Sequence, residues 1–191
     1  MILSDKDIKK YIKEGKIKVN PKPNFRDQLG PCSLDLHLGN IFKIFKPSDY
    51  PYLDLKRNID FEDLMEEIKI KDDAPFILQP KAFVLTTTKE EFSLSNDMIA
   101  RLDGRSSLAR IGVVVHLTAA RFDPGWRGKA VMELGNLGPM PVVLYAGVTR
   151  ICALTFETLS SPVEVPYLKQ KDHAYAKPKS PRASKLNKEL K

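Results

Sequence analysis

Seven short apolar runs recur along the chain and constrain its fold more than any other feature. They are NIFKIF (40–45), KAFVLTTT (81–88), MIARL (98–102), GVVVHLT (112–118), KAVMELG (129–135), PVVLY (141–145) and TRICALTFE (149–157). β-Branched and aromatic side chains suit a pleated surface, and the Gly, Pro, Asp and Asn between the runs supply turns. Strands at such short intervals favour an all-β barrel or roll with helical additions. Two helices are expected. LSDKDIKKYIKEG has Ser4 as cap, Ile8, Tyr11 and Ile12 on one face, and Gly15 placed to end it. DFEDLMEEIK has Asp60 as cap, with Phe61, Leu64, Met65 and Ile68 on one side. Between them KPSDYPYLDLKRN, with Pro47 and Pro51, reads as an irregular loop, and no internal repeat occurs.

At 191 residues the chain fits one domain with a substantial core. Its apolar runs fall far short of a membrane span, and MILSDKDIKK carries charge too early for a signal peptide. Cys32 and Cys152 are too few for a disulfide framework, so a reducing, cytoplasmic setting is expected. The net charge of +7 is concentrated at one end: residues 169–191 hold eight of the 31 Lys/Arg and two of the 24 Asp/Glu. A nearly neutral domain over 1–168 and a basic, mobile tail over 169–191 are therefore expected. The tail either contacts an anion or simply stays solvated.

Three places could carry chemistry. In VMELGN (131–136) a lone glutamate, Glu133, interrupts an apolar strand. Alternation sets Val131, Glu133 and Gly135 on one face and Met132 and Leu134 on the other. Glu133 is then either a solvated strand residue or an acid/base whose pKa burial raises and a nearby arginine lowers. GRSSLAR (104–110) offers Ser106 or Ser107 as the cap of a short helix flanked by Arg105 and Arg110. That is an ordinary helix start or an anion cradle. DPGW (123–126) is a type II turn, whose Asp123 could also hold a sugar hydroxyl with Trp126 as an apolar wall. Zinc chemistry is not indicated: His37, His116 and His173 have no i,i+4 pairing, PCSLD lacks the second cysteine of P-C-x-x-C, and no H-x-E occurs. A strand histidine such as His116 is expected to be satisfied in the core or an interface. No G-x-S-x-G elbow occurs.

Taken together, these pieces resemble one family. GRSSLARIGVVVHLTAARFDPGWRGKAVMELGN is similar to the signature block of the dCTP deaminases, relatives of the trimeric dUTPases. ILSDKDI, GPCSLDLHLGNIF and GVTRICALTFETLSSPVEVPY are similar to further family segments, in the same order. The resemblance implies a mainly β, dUTPase-like distorted barrel or jelly roll with a few short helices. It implies a homotrimer with active sites between subunits, and deamination of dCTP to dUTP and ammonia. No metal would be ligated by protein; Mg2+ would arrive on the triphosphate, and dTTP would be an inhibitor. By position, Glu133 matches the general acid/base, and Ser106 and the Ala119 carbonyl match the groups that hold the attacking water. Arg110 matches the arginine beside the carboxylate and the ring. Arg105 and Ser107 fall at phosphate contacts, with Leu108 and Ala109 in the same binding segment. Asp123 matches the 3′-hydroxyl contact, Val131 and Met132 flank base and sugar, and Tyr167 matches a phosphate-binding tyrosine.

The sequence departs from that pattern in two places. HAYAKPK puts Ala174 and Pro178 where the family tail often carries Lys and Gln; Lys171, Lys177 or Lys179 could substitute. Ala120 stands where single-activity members often carry His and dUMP-forming members Gly, while Arg121 and DPGW lean toward the former. The competing readings are a nucleotide diphosphatase, including a bifunctional enzyme giving dUMP and pyrophosphate, and a non-enzymatic nucleotide- or nucleic-acid-binding protein. The last ranks lowest, because only Tyr167 and Tyr175 lie near the tail, too few for a base-stacking platform.

Overall fold

The computed structural model describes residues 1–47, 51–55, 59–170, 175 and 177–186. In chain order the elements are α1 (Asp5–Lys13), β1 (Ile17–Asn20), α2 (Phe25–Gln28), β2 (Leu34–Phe45), β3 (Met65–Lys69), β4 (Pro75–Leu78) and β5 (Phe83–Leu94). There follow β6 (Met98–Gly104), α3 (Ser106–Ala109), β7 (Val113–Val114), β8 (Arg121–Phe122), β9 (Arg127–Asn136), β10 (Val142–Tyr145) and β11 (Arg150–Thr158). Nine strands form one antiparallel sheet in the order β7-β9-β5-β2-β11-β6-β8, with β1 beside β5 and β3 beside β2; β10 and β4 form a separate pair. Register shifts interrupt β2, β5 and β11, and such bulges bend the long strands. Among the described residues no helix is long and apolar enough to cross a membrane.

The main core fills the concave side. Leu34, Leu36 and Leu38 of β2, Ala130, Met132 and Leu134 of β9, and Leu154 and Phe156 of β11 are fully buried. Each such large aliphatic or aromatic side chain contributes about 1.5–3 kcal/mol relative to exposure. Phe42 stacks on Phe76 at 3.9 Å, tying the β4–β10 pair to the main sheet.

The first helix forms as expected, with the Ser4 side chain accepting from Asp7 N. The second does not. Residues 60–64 form a turn, in which Asp60 Oδ1 accepts from Glu62 N, and Met65–Lys69 is strand β3, paired with β2 from Ile41↔Lys69 to Phe45↔Met65. An available sheet edge overrides the helical spacing of Phe61, Leu64, Met65 and Ile68. GVVVHLT is also a strand only at Val113–Val114. The described part of the tail lies against the body: Pro178 and Ala183 are buried, the latter in a small second cluster with Phe61, Leu64, Met65 and Leu85. Lys171, His173 and Ala174 lie outside the described residues.

Candidate active site

Strand β9 sorts its side chains by parity. Ala130, Met132 and Leu134 enter the core, while Val131, Glu133 and Gly135 stay half-buried on the opposite face. Glu133 is thus neither fully wet nor sealed. Its Oε2 accepts a hydrogen bond of 3.3 Å from Leu117 N. Burial raises its pKa above the usual carboxylate value, opposed by that N–H donor and by His116. Met132 is fully buried, so its backbone, not its side chain, is what a ligand on this face could touch.

Among the described residues, His116 finds no partner in the core of the single chain. Its Nδ1 is buried without a hydrogen-bond partner among the described residues. Such a group is costly in a finished core but available to an incoming one.

The α3 segment also differs in detail. Arg105 is the N-cap, but its side chain makes no capping hydrogen bond, and Ser106 and Ser107 lie inside the turn instead of capping it. Both serines, Ala109 and Arg110 are exposed, while Leu108 packs on the core and anchors the turn. Arg105 NH1 donates to Asp35 Oδ2, to which Arg150 NH1 also donates at 3.4 Å. Burial first, and Arg150 second, lower the Arg105 pKa. Two guanidiniums therefore share one carboxylate, leaving an excess of positive charge.

DPGW forms the expected turn. Gly125 has φ +79°, Trp126 N donates to Asp123 O at 3.0 Å, and a Cβ at 125 would approach Pro166 Cβ to 2.7 Å. Trp126 is not an outward wall: it is buried against Phe92, Phe122 and Tyr167, with its Nε1 unpartnered among the described residues. Asp123 Oδ1 accepts from Arg121 Nε at 2.9 Å. Tyr167 N donates to Pro124 O, and burial, with the negative charge of Asp123, raises its phenol pKa.

Within one chain the structure thus gathers two groups. Glu133, Leu117 and His116 form one; Asp123, the turn and Tyr167 form the other. Arg105 stands apart with Asp35, and Ala119 is exposed, its carbonyl accepting no backbone hydrogen bond among the described residues. No hydrogen bond or ion pair among the described residues joins Glu133 to Ser106 or Arg110. Sequence reasoning passed over Asp35 and Arg150. The signal was present, since Asp35 sits between Leu34 and Leu36 as Glu133 sits between Met132 and Leu134: an acid between two fully buried strand neighbours.

Comparison with known proteins places this geometry. The chain superimposes on the crystal structure of 2′-deoxycytidine 5′-triphosphate deaminase from Agrobacterium tumefaciens with a TM-score of 0.63 over 82% of its length and 47% of that chain, at 22% identity. The fold is the mainly β one of that deaminase structure. A family model described as dCTP deaminase-like matches residues 2–159, and the chain belongs to that family. It is 50% identical over 190 residues to the dCTP deaminase of Thermomicrobium roseum, covering all of this chain and 96% of that one. It is 48% identical over 187 residues to the dUMP-forming dCTP deaminase of Dictyoglomus thermophilum, covering 98% and 95%. Identity to the dUMP-forming enzyme of Methanosphaera stadtmanae is 45%, covering 99% and 95%.

Proposed function

We propose that the protein hydrolyses dCTP to dUTP and ammonia. The observation that carries this is Glu133: half-buried, raised in pKa and hydrogen-bonded to Leu117 N, inside the segment most similar to the family's signature block. Water attacking C4 of cytosine must lose a proton, and the amino group must gain one as it leaves. A carboxylate poised by burial takes the first and delivers the second. Ser106 and the Ala119 carbonyl would hold the water, and Arg110 would stabilise the charged carboxylate and the ring. Arg105, Ser107 and Tyr167 would meet the phosphates, Asp123 the 3′-hydroxyl, and Val131 and the Met132 backbone the base and sugar. Magnesium would enter with the triphosphate as part of the substrate.

That no hydrogen bond or ion pair among the described residues joins Glu133 to Arg110 within one chain supports a site completed by a second copy, as in a homotrimer. Around α3 and the end of β9, Ile111, Leu117, Leu137 and Met140 are all more than half exposed, an apolar surface suited to an identical neighbour. A cytoplasmic location fits two unpaired cysteines.

Incubation with dCTP and Mg2+, followed by separation of dUTP, dUMP, ammonia and pyrophosphate, tests the reaction directly. Glu133→Gln should lower turnover at least ~100-fold with dCTP binding retained; wild-type turnover in that variant removes Glu133 from the chemistry. A second reading, continuation to dUMP and pyrophosphate, is favoured by the dUMP-forming names of two of the relatives above. Accumulation of dUMP without free dUTP would establish it.

A further inference from the structure

One feature outside this site bears on it. Lys43 on β2 pairs with Leu85 on β5, and Leu85 with Glu133 on β9, so the three side chains form one row across the outer face of the sheet. The C-terminal segment reaches this row. It first meets the margin of β9 that β7 leaves uncovered, where Lys177 N donates to Arg127 O and Lys129 N to Pro178 O. It then arrives at Ala183, buried with Leu85, Phe61, Leu64 and Met65. Ala183 lies five positions after Pro178, a distance of at most ~18 Å. Glu133 lies four positions along β9 from Lys129, ~14 Å, so a segment fixed at Lys129 and again at Leu85, the register partner of Glu133, runs obliquely over this face.

Beside that burial, a side chain of the body also holds its far end. Glu62 Oε1 accepts from Ala183 N at 2.9 Å, and Glu62 Oε2 is paired with Lys43 Nζ. Lys43 is only 12% exposed, so its charge orients the carboxylate from below while the segment is held from above. Tyr175 OH accepts from Lys185 N at 2.9 Å, drawing the two ends of the segment together.

We propose that Glu62 is a positioning residue for the reaction above: it latches the C-terminal segment over the row that carries Glu133, and so sets how tightly nucleotide is retained there. The catalytic part of this rests on the proposed deaminase function; the latch itself does not. Hydrogen exchange over residues 177–186, followed by mass spectrometry on the full chain, reads the latch without substrate. Glu62→Ala should speed exchange there roughly tenfold, the scale of losing one hydrogen bond to a charged group, while β5 and β9 stay protected. Ala183→Pro, which removes the donor while keeping Glu62 and Lys43 in place, should do the same. Glu62→Gln retains an acceptor oxygen and should restore slow exchange. With dCTP, the first two variants should raise KM roughly fivefold or more and leave kcat within about twofold, the pattern of lost uniform binding. Wild-type exchange in both Glu62→Ala and Ala183→Pro overturns the latch. A loosened segment with unchanged KM overturns its positioning role. A wild-type chain inert toward dCTP would refute the deaminase assignment and leave the exchange result standing.

Discussion

Asp97 shows how much of this fold is set by single charged groups. Its Oδ2 accepts from Lys16 Nζ at 2.7 Å and its Oδ1 from Ser95 Oγ at 2.5 Å, joining the α1–β1 connection to the β5–β6 turn. Those two hydrogen bonds, Lys16 first, hold its pKa below the usual 3.8. A carboxyl depressed in the folded state contributes stability above its unfolded pKa and loses it as pH falls through the folded one. Asp97→Asn should therefore melt below wild type at pH 7, with the gap closing on acidification below 3.8; a gap that stays constant with pH would refute the assignment. At this same scale the site was partly legible. Glu133 stood out because a charge amid apolar alternation is costly without a use. His116 did not, because a strand histidine looks the same whether or not its ring finds a partner. Asp35 carried the same signal as Glu133, but its partners were not readable, because Arg105 and Arg150 lie 70 and 115 residues away in sequence.

Among the elements, β9 is the one whose sequence and structure agree most closely. Its period-two pattern assigns Met132 to the core and Val131 to the outer face, and both are found there. Met132→Ala should cost about 2–5 kcal/mol in urea unfolding, and Val131→Ala about 1 kcal/mol or less; equal losses would contradict the parity. Of the longer strands, β9 was readable from this alternation, and β5, β6 and β11 from their apolar, β-branched runs. Of the short ones, β10 was readable as PVVLY, but two others were not. Ile17–Asn20 and Pro75–Leu78 owe their strand state to β5 and β10 beside them, and local sequence carries little of that information. Met65–Lys69 was misread for the same reason: Phe61, Leu64, Met65 and Ile68 fit a helical stripe, yet Met65 and Ile68 serve equally in a strand whose Glu66 and Glu67 face solvent.

For the molecule as a whole, the proposed trimer predicts a light-scattering mass near three times 21.6 kDa. Leu137→Asp and Met140→Asp together should shift it toward a single chain and abolish turnover, since no hydrogen bond or ion pair among the described residues joins Arg110 or Ser106 to Glu133 within one chain. Persistence of full activity in a single-chain species would exclude a shared site. The C-terminal segment matters at this scale as well. Arg127 O and Lys129 N form a ragged margin of the large sheet, and the segment that stoppers it ends its pairing on a proline, which has no amide hydrogen to pass on. A chain clipped ahead of residue 177 would offer that bare carbonyl and amide to its neighbours, so its first defect should be stickiness on storage, ahead of any change in the chemistry it performs.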